Sequence, residues 1–207
     1  MTKISLDSIA TYYDNKLQEY GTTSRGVDWK DDDSHQLRFE QLLKVLPESS
    51  ETDVSLLDYG CGYAALLDCL LKRQMPVCYH GFDIAPLMLE QARCRYPQST
   101  HYWYGRLEDL TPVDYVVASG IFNVRLEEDD YAWESYILDT LHQFDRLSDK
   151  GFSFNALTSY SDPEYMRKDL HYANPLTLFD YCKQNFSRHV SLLHDYGLYE
   201  FTILVRK

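Results

Sequence analysis

The chain has 207 residues, of which 44% are hydrophobic and 25% are charged, a composition typical of one globular domain with a substantial core. Its net charge of −12 and the lack of any Lys/Arg cluster argue against binding to nucleic acid or to an anionic membrane surface, although solubility alone also explains an acidic surface. The N-terminal residues lack the apolar core of a signal peptide, and no apolar run approaches the roughly 18 residues that span a bilayer.

Cysteine usage predicts a reducing compartment, of which the cytoplasm is the simplest. The five cysteines are odd in number and contain no C-x-x-C pair, so neither a disulfide framework nor a zinc site is indicated. No H-x-H, H-E-x-x-H or carboxylate cluster suggests another metal. We therefore expect a metal-free cytoplasmic protein.

The first part of the chain is predicted to be helical. A polar, tyrosine-bearing helix is expected over 5–20, followed by a loop over 21–34. Ser34 is the candidate N-cap of a second helix over 35–46, whose leucines and Phe39 form one apolar face. The polar run at 47–53 then breaks the chain before the first strand.

From residue 54 onward, strands alternate with helices. Strands are predicted over 54–59, 77–84, 101–105, 113–122 and 151–159. Helices are predicted over 63–73, 86–96, 130–147 and 175–185. The C-terminal residues indicate two further strands around a turn near Asp195–Gly197. This order predicts an α/β fold with a doubly wound, mostly parallel seven-stranded sheet, helices on both faces and an antiparallel C-terminal hairpin.

The glycine loop after the first strand is the strongest functional signal. Gly60, Gly62 and Ala65 fit the G-x-G-x-x-A pattern of a dinucleotide loop, whereas Asp58, Gly60 and Gly62 fit the D-x-G-x-G pattern of an S-adenosylmethionine loop. A dinucleotide places its pyrophosphate on the helix N-terminus, where a carboxylate at Asp58 is a poor neighbour. Asp58 suits the α-ammonium group of S-adenosylmethionine, or it simply caps the loop. Asp83 ends the second strand, where a carboxylate accepts hydrogen bonds from ribose hydroxyls in either ligand class.

Five segments together resemble class I S-adenosylmethionine-dependent methyltransferases over roughly residues 35–207. These segments are "LLDYGCGYA", "GFDIAPLMLEQAR", "VDYVVASGIFNV", "LDTLHQFDRLSDKGFSFNAL" and "HDYGLYEFTILVRK". The resemblance implies a methyltransferase domain over 35–207, preceded by a helix and lid segment over 1–34. It also implies that S-adenosylmethionine is bound by residues of the strand ends and the lid, namely Tyr13, Asp58, Gly60, Gly62, Asp83, Ile84, Leu107, Glu108 and Ser119.

The chain departs from the family pattern at three places. Ala64 replaces the third glycine of the loop, and Gly151 stands alone where the family has a glycine pair. Arg106 occupies the position of the aspartate that usually binds the adenine amino group. The backbone of Leu107 and the carboxylate of Glu108 are the candidate replacements.

In similar enzymes, the N-terminal segment covers the cofactor and helps to form the substrate site. Tyr13 and Trp29 are therefore expected to line the cleft, or else to pack the first helix onto the sheet. Arg25 or Arg38 pairs either with the cofactor carboxylate or with a surface acid.

The long polar segment between the fifth strand and the last helix, residues 155–175, is the candidate source of further substrate-binding groups. Tyr160 and His171 are candidate catalytic residues there, with Asn155 and Tyr172 as further candidates. Asn123, after the fourth strand, is expected near the transferred methyl group if the family geometry applies. The alternative for His171 is a surface histidine on a helix.

These observations predict a methyltransferase that transfers a methyl group to an oxygen or nitrogen atom of a small molecule. The alternatives are a nicotinamide-dependent oxidoreductase and a non-catalytic S-adenosylmethionine-binding module.

Overall fold

A seven-stranded sheet forms the centre of the protein, as seen in a computed structural model that describes residues 4–47, 54–97 and 101–207. The strands are β1 (Val54–Tyr59), β2 (Val77–Phe82), β3 (Tyr102–Tyr104), β4 (Val113–Ala118), β5 (Ser148–Leu157), β6 (His189–Leu193) and β7 (Glu200–Arg206). Their spatial order is β3-β2-β1-β4-β5-β7-β6. The strands from β1 to β5 pair in parallel, and β7 pairs antiparallel with both β5 and β6. The predicted sheet and its C-terminal hairpin are therefore confirmed.

Helices cover both faces of the sheet. They are α1 (Asp7–Tyr20), α2 (Asp32–Leu43), α3 (Ala65–Lys72), α4 (Pro86–Arg95), α5 (Asp130–Leu147) and α6 (Pro175–Asn185). Consecutive strand residues point to opposite faces. Leu57 accordingly packs in one core with α5 and α6, whereas Leu56 packs in a second core with α2, α3 and α4. This burial on both faces explains the continuous apolar runs of the central strands.

Four strands end earlier than the sequence predicts: β3 at Tyr104 and β5 at Leu157, and, at the edge of the site, β2 and β4. The strand expected over 77–84 ends at Phe82, and the next residue, Asp83, accepts backbone N–H bonds from Gly62 and Ala85 through its carboxylate. The strand expected over 113–122 ends at Ala118, and Gly120 then turns the chain with a φ of 73°. The early endings of β2 and β4 place polar residues at the carboxyl edge of the sheet.

The predicted N-cap of the second helix is wrong. The helix begins at Asp32, and its cap is Asp31, whose carboxylate accepts a hydrogen bond from the backbone N–H of Ser34 at 2.8 Å. Ser34 is therefore inside the first turn. An aspartate three residues ahead of a free N–H satisfies it as well as serine does and also complements the helix dipole.

The chain reverses its direction of travel across the sheet after β3. Strands β2 and β3 lie on one side of β1, whereas β4 and β5 lie on the other. The carboxyl ends of β1 and β4 thus form the topological switch point, where open α/β sheets bind their ligands. Within the described ranges, no helix is long and apolar enough to cross a membrane. The chain break predicted at 47–53 lies, from residue 48 onward, outside the described residues.

Candidate active site

A cavity opens at the switch point, between the carboxyl ends of the strands and the N-terminal segment (residues 4–31). Its empty volume is about 970 Å³, including the part of the mouth that is open to solvent. Eight of the nine predicted cofactor-binding residues line it: Tyr13, Asp58, Gly60, Gly62, Asp83, Ile84, Leu107 and Ser119. The ninth, Glu108, is exposed and pairs with Arg106 away from the wall.

The loop after β1 needs its glycines for two different reasons. Gly60 has a φ of 84°, and a Cβ atom there would lie 2.4 Å from Cγ2 of Ile121. Gly62 has a φ of 53° and passes close to Val27 of the N-terminal segment. Ala64 keeps the left-handed conformation of the loop, with a φ of 67°, although it carries a side chain. The loop backbone thus lies close to Ile121 on one side and to Val27 on the other.

Asp83 is held in a fixed orientation by the backbone. Its Oδ2 accepts from the N–H of Gly62 at 2.7 Å, and its Oδ1 accepts from the N–H of Ala85 at 2.8 Å. The side chain is buried, and burial raises its pKa to about 6 despite these hydrogen bonds. A carboxylate has about four acceptor positions, so both oxygens retain capacity for hydroxyl donors.

Asp58 is the second buried acid of the cavity. The hydroxyl of Tyr79 donates to its Oδ2 at 2.6 Å. Burial raises the pKa of Asp58 to about 7, and the nearby charge of Asp83 adds to the increase. A cation bound beside Asp58 would offset this penalty, so the site suits an ammonium group.

Ser119 supplies a polar group that still lacks a partner. It follows β4 directly, lines the cavity, and its Oγ is buried with no hydrogen-bond partner among the described residues. Buried hydroxyls are nearly always hydrogen-bonded in native proteins. Together with Asp58 and Asp83, this hydroxyl fits a polar ligand such as S-adenosylmethionine.

The N-terminal segment covers the cavity and is anchored at two points. The Trp29 ring lies against Gly120, where a Cβ atom would be 2.4 Å from Cζ2 of the indole, and it stacks on the guanidinium of Arg38 at 3.8 Å. Arg38 in turn donates through Nε to the buried Glu200 at 2.8 Å. Arg38 therefore forms a buried ion pair rather than the expected surface pair, and Arg25 is exposed.

The second anchor is Asp28, which has a φ of 61°. Its carboxylate accepts from the hydroxyl of Tyr12 at 2.8 Å and pairs with Lys16 at 2.9 Å. It also pairs with Arg167 of the β5–α6 segment (residues 158–174) at 3.3 Å. Asp28 thus joins α1 to a distant part of the chain.

The three predicted catalytic residues are not part of the cavity wall. Asn123 is buried, and its Oδ1 accepts from the backbone N–H of Leu157 at 3.0 Å. Its carbonyl accepts from the N–H of His171 at 2.7 Å. Tyr160 is 63% exposed, and its ring packs against His194.

His171 is not the surface helical residue that was considered as its alternative. It lies outside any helix and is only 7% exposed, and burial lowers its pKa. The further candidate Asn155 is buried in β5, where it accepts from the N–H of Gly120 and donates to Glu200. Tyr172 accepts from the backbone N–H of Arg167. The β5–α6 segment therefore makes structural contacts rather than forming this wall.

Sequence analysis missed several residues of the wall, of which His35, Trp133 and Tyr136 are the most informative. His35 lies four residues before Phe39 on the apolar face of α2, a spacing that could have marked it as inward-facing. Trp133 and Tyr136 occupy the buried side of α5, where their pattern indicates only core packing. In the described parts of the chain, no group of three or more His, Cys, Asp or Glu side chains is arranged to hold a metal ion.

Comparison with known proteins assigns the family. No protein-family model matches the chain. A protein of Mycobacterium tuberculosis named "Putative methyltransferase Rv1506c" is 51% identical over 156 residues, covering 74% of this chain and 93% of that protein. The fold matches that of a DhpI–SAH complex with a TM-score of 0.63 at 15% identity, covering 97% of this chain and 96% of the other.

A TehB-like SAM-dependent methyltransferase from Corynebacterium glutamicum also shares the fold, with a TM-score of 0.54 at 15% identity, covering 95% of this chain and 98% of the other. At such identities, the solved structures establish the fold alone. The relative from M. tuberculosis matches most of both sequences, and the observed fold is the one that the motifs indicated. The chain therefore belongs to the class I S-adenosylmethionine-dependent methyltransferases.

Proposed function

We propose that this chain transfers the methyl group of S-adenosylmethionine to an oxygen or nitrogen atom of a small molecule. The observation that carries this proposal is the meeting of Asp58, Asp83 and the unpartnered hydroxyl of Ser119 in one covered cavity. The bound cofactor supplies a methyl group already activated by a positive sulfur. The residues of the chain then have to align the acceptor and exclude water, a positioning contribution of several kcal/mol.

Each cofactor-binding residue has a role consistent with its surroundings. Asp83 accepts from the ribose hydroxyls, Asp58 binds the ammonium group, and Ser119 donates to a polar atom of the same ligand. Ile84 and Leu107 flank the adenine ring. Tyr13, on the N-terminal segment, covers the methionine portion of S-adenosylmethionine. Glu108 reaches the adenine amino group only if it exchanges its present ion pair with Arg106.

The catalytic assignments of Tyr160, His171 and Asn123 remain predictions. Asn123 is the best placed of the three, because it lies two residues after Ile121, which lines the cavity. The covered cavity favours a small-molecule acceptor over nucleic acid. The cysteines described as free support a reducing compartment such as the cytoplasm.

Calorimetry with S-adenosylhomocysteine and with NAD tests the cofactor. We expect the sulfur nucleoside to bind and NAD not to bind, because the buried carboxylate of Asp58 would repel a pyrophosphate. Asp83→Asn should weaken nucleoside binding by more than tenfold, since it removes charge-assisted hydrogen bonds. The exposed Asp149→Asn is the matched control and should leave affinity unchanged.

The outcomes separate the three candidate functions. Absence of S-adenosylhomocysteine binding would refute the proposal, and NAD binding would favour the oxidoreductase. Tight nucleoside binding without methyl transfer to any member of a broad metabolite panel would favour the non-catalytic module. Thermal unfolding of Asp83→Asn shows whether any loss of affinity reflects loss of the fold.

A further inference from the structure

Aromatic side chains make up much of the cavity wall beyond the two acids. Trp29, His35 and Phe39 come from the N-terminal segment and the first two turns of α2, and Trp133 and Tyr136 come from α5. Trp133 has no free polar atom, because its Nε1 donates to the carbonyl of Phe122 at 2.9 Å. This part of the wall is therefore suited to apolar or aromatic ligand surface.

His35 is the exception, because it is a buried polar side chain without a polar partner. It is 7% exposed, and its ring packs on Phe39 at 4.5 Å and near Trp29 at 6.1 Å between centroids. No hydrogen bond involves its ring nitrogens in the part of the chain that the structure describes. Both ring nitrogens retain some accessible surface, so they can hydrogen-bond a ligand in the cavity.

The ring of His35 is neutral near pH 7. Burial lowers its pKa to about 4, and the positive charge of Arg38 adds to the decrease, while Asp32 opposes it. A neutral imidazole carries one donor and one acceptor nitrogen. It can therefore hydrogen-bond a hydroxyl or amine group without adding charge to the cavity.

The charges of the cavity wall also favour an acceptor without an anionic group. Among the described residues, those that line the cavity include Asp58 and Asp83 but no Lys or Arg. The guanidinium of Arg38 stacks on Trp29 but forms the ion pair with Glu200, and Arg38 is not part of the wall. A carboxylate or phosphate on the acceptor would thus lose its hydration with no cationic side chain of the described wall to replace it.

We propose that the methyl acceptor is an uncharged, largely apolar small molecule with a hydroxyl or aromatic amine group, and that His35 hydrogen-bonds that group. This inference rests on the proposed methyltransferase function and assigns its substrate class. His35 thereby acts as a specificity-determining residue of the acceptor site.

Three related probes test the proposal in protein saturated with S-adenosylhomocysteine. These are p-cresol, which carries an uncharged hydroxyl, 4-hydroxybenzoate, which adds a carboxylate, and toluene, which lacks the hydroxyl. We expect p-cresol to bind at least tenfold more tightly than 4-hydroxybenzoate. His35→Phe keeps an aromatic ring but removes both nitrogens, and it should weaken p-cresol binding about five- to tenfold while leaving toluene binding unchanged.

His189→Phe, at the exposed first position of β6, is the control and should change none of these affinities. If His35→Phe does not fold, the imidazole resonances of the wild-type protein provide the second measurement, and those of His35 should shift when p-cresol is added. Equal or tighter binding of 4-hydroxybenzoate would overturn the proposal, as would His35 resonances that do not respond. Failure of S-adenosylhomocysteine itself to bind would refute the underlying function, whereas its binding without p-cresol binding would refute only the acceptor class.

Discussion

The two sides of the cavity are held in place by different kinds of interaction. On the sheet side, Asp83 is fixed by backbone N–H groups of Gly62 and Ala85. On the side of the N-terminal segment, Asp28 is held by the side chains of Lys16 and Arg167. Backbone contacts move only with the fold, whereas partly exposed side-chain pairs exchange readily with water. The cofactor side is therefore preorganised, whereas the contact of the covering segment with the β5–α6 segment at Asp28 is exchangeable.

The largest loss of stability is expected from breaking the buried ion pair between Arg38 and Glu200, on which the covering segment packs. Glu200→Gln would leave the guanidinium of Arg38 buried without its counter-charge beneath Trp29. Loss of one partner of a buried pair costs about 3–5 kcal/mol, which would lower the melting temperature by roughly 10 °C for a chain of this size.

Glu40→Gln is the control for this prediction. It breaks the exposed pair between Glu40 and Arg73, which should change stability by less than about 1 kcal/mol. Similar melting temperatures for both variants in calorimetric scans would mean that the N-terminal segment does not depend on the buried pair.

A methyl group added at Gly60, in the loop after β1, tests whether the cofactor side of the cavity is preorganised. Gly60→Ala would strain a φ of 84° and press on Ile121, so we expect a loss of about 1–3 kcal/mol in stability and a large loss of S-adenosylhomocysteine affinity. Gly197→Ala also has a positive φ, of 72°, but its added Cβ would meet open space. This control should lose some stability and no affinity; equal affinity losses would contradict the role of the loop.

The preorganised side was the part that the sequence could predict. Asp58, Gly60, Gly62 and Asp83 lie in short contiguous motifs at strand ends, and parallel strands bring their carboxyl ends to one edge. Local patterns and topology together therefore determine their meeting place. The adenine contact of Glu108 was inferred from its neighbourhood in the chain alone, and the ion pair with Arg106 turns its side chain away from the wall.

The acceptor side could not be predicted in the same way. His35, Trp133 and Tyr136 come from α2 and α5, which meet at the cavity only because of the angles at which the helices pack on the sheet. Apolar helix faces indicate burial but not the neighbours across the interface. The polar loop that contains Tyr160 has the composition of a substrate-binding loop, yet its path places that side chain in solvent at 63% exposure.

The pH dependence of cofactor affinity distinguishes the buried acids from ordinary surface carboxylates. Because burial raises the pKa of Asp58 to about 7, only about a tenth of it is ionised at pH 6, compared with about three quarters at pH 7.5. If the ammonium group binds the ionised form, affinity for S-adenosylhomocysteine should rise by about eightfold over this range. Asp58→Asn should bind weakly and keep only the roughly twofold rise expected from Asp83, whose pKa of about 6 takes it from about half to nearly fully ionised over this range. An equally steep profile in this variant would rule out Asp58 as the titrating group.

The stability of the ligand-free protein should change with pH in the opposite sense to cofactor affinity, decreasing as Asp58 becomes ionised. Because the pKa of Asp58 is raised from its ordinary value of 3.8, Asp58 contributes stability below about pH 4, and this contribution is lost as the pH rises through about 7. Asp58→Asn should therefore be more stable than the wild-type protein at pH 7.5 in denaturant unfolding, although it binds the cofactor less tightly. A less stable variant would show that Asp58 supports the fold rather than the ligand.

The smallest loss of stability is expected from changing Asp28, at the exchangeable contact between the N-terminal and β5–α6 segments. Asp28→Asn keeps the shape of the side chain but removes the charge that attracts Lys16 and Arg167, at a cost of about 1 kcal/mol or less in stability. Because the contact lies outside the cavity wall, we expect the dissociation rate of S-adenosylhomocysteine to rise several-fold in stopped-flow measurements and to depend less on salt than in the wild-type protein. Glu40→Gln again serves as the surface-charge control. An unchanged dissociation rate would mean that release of the nucleoside does not require the two segments to separate, and the side-chain contacts at Asp28 would then contribute to the folded structure alone.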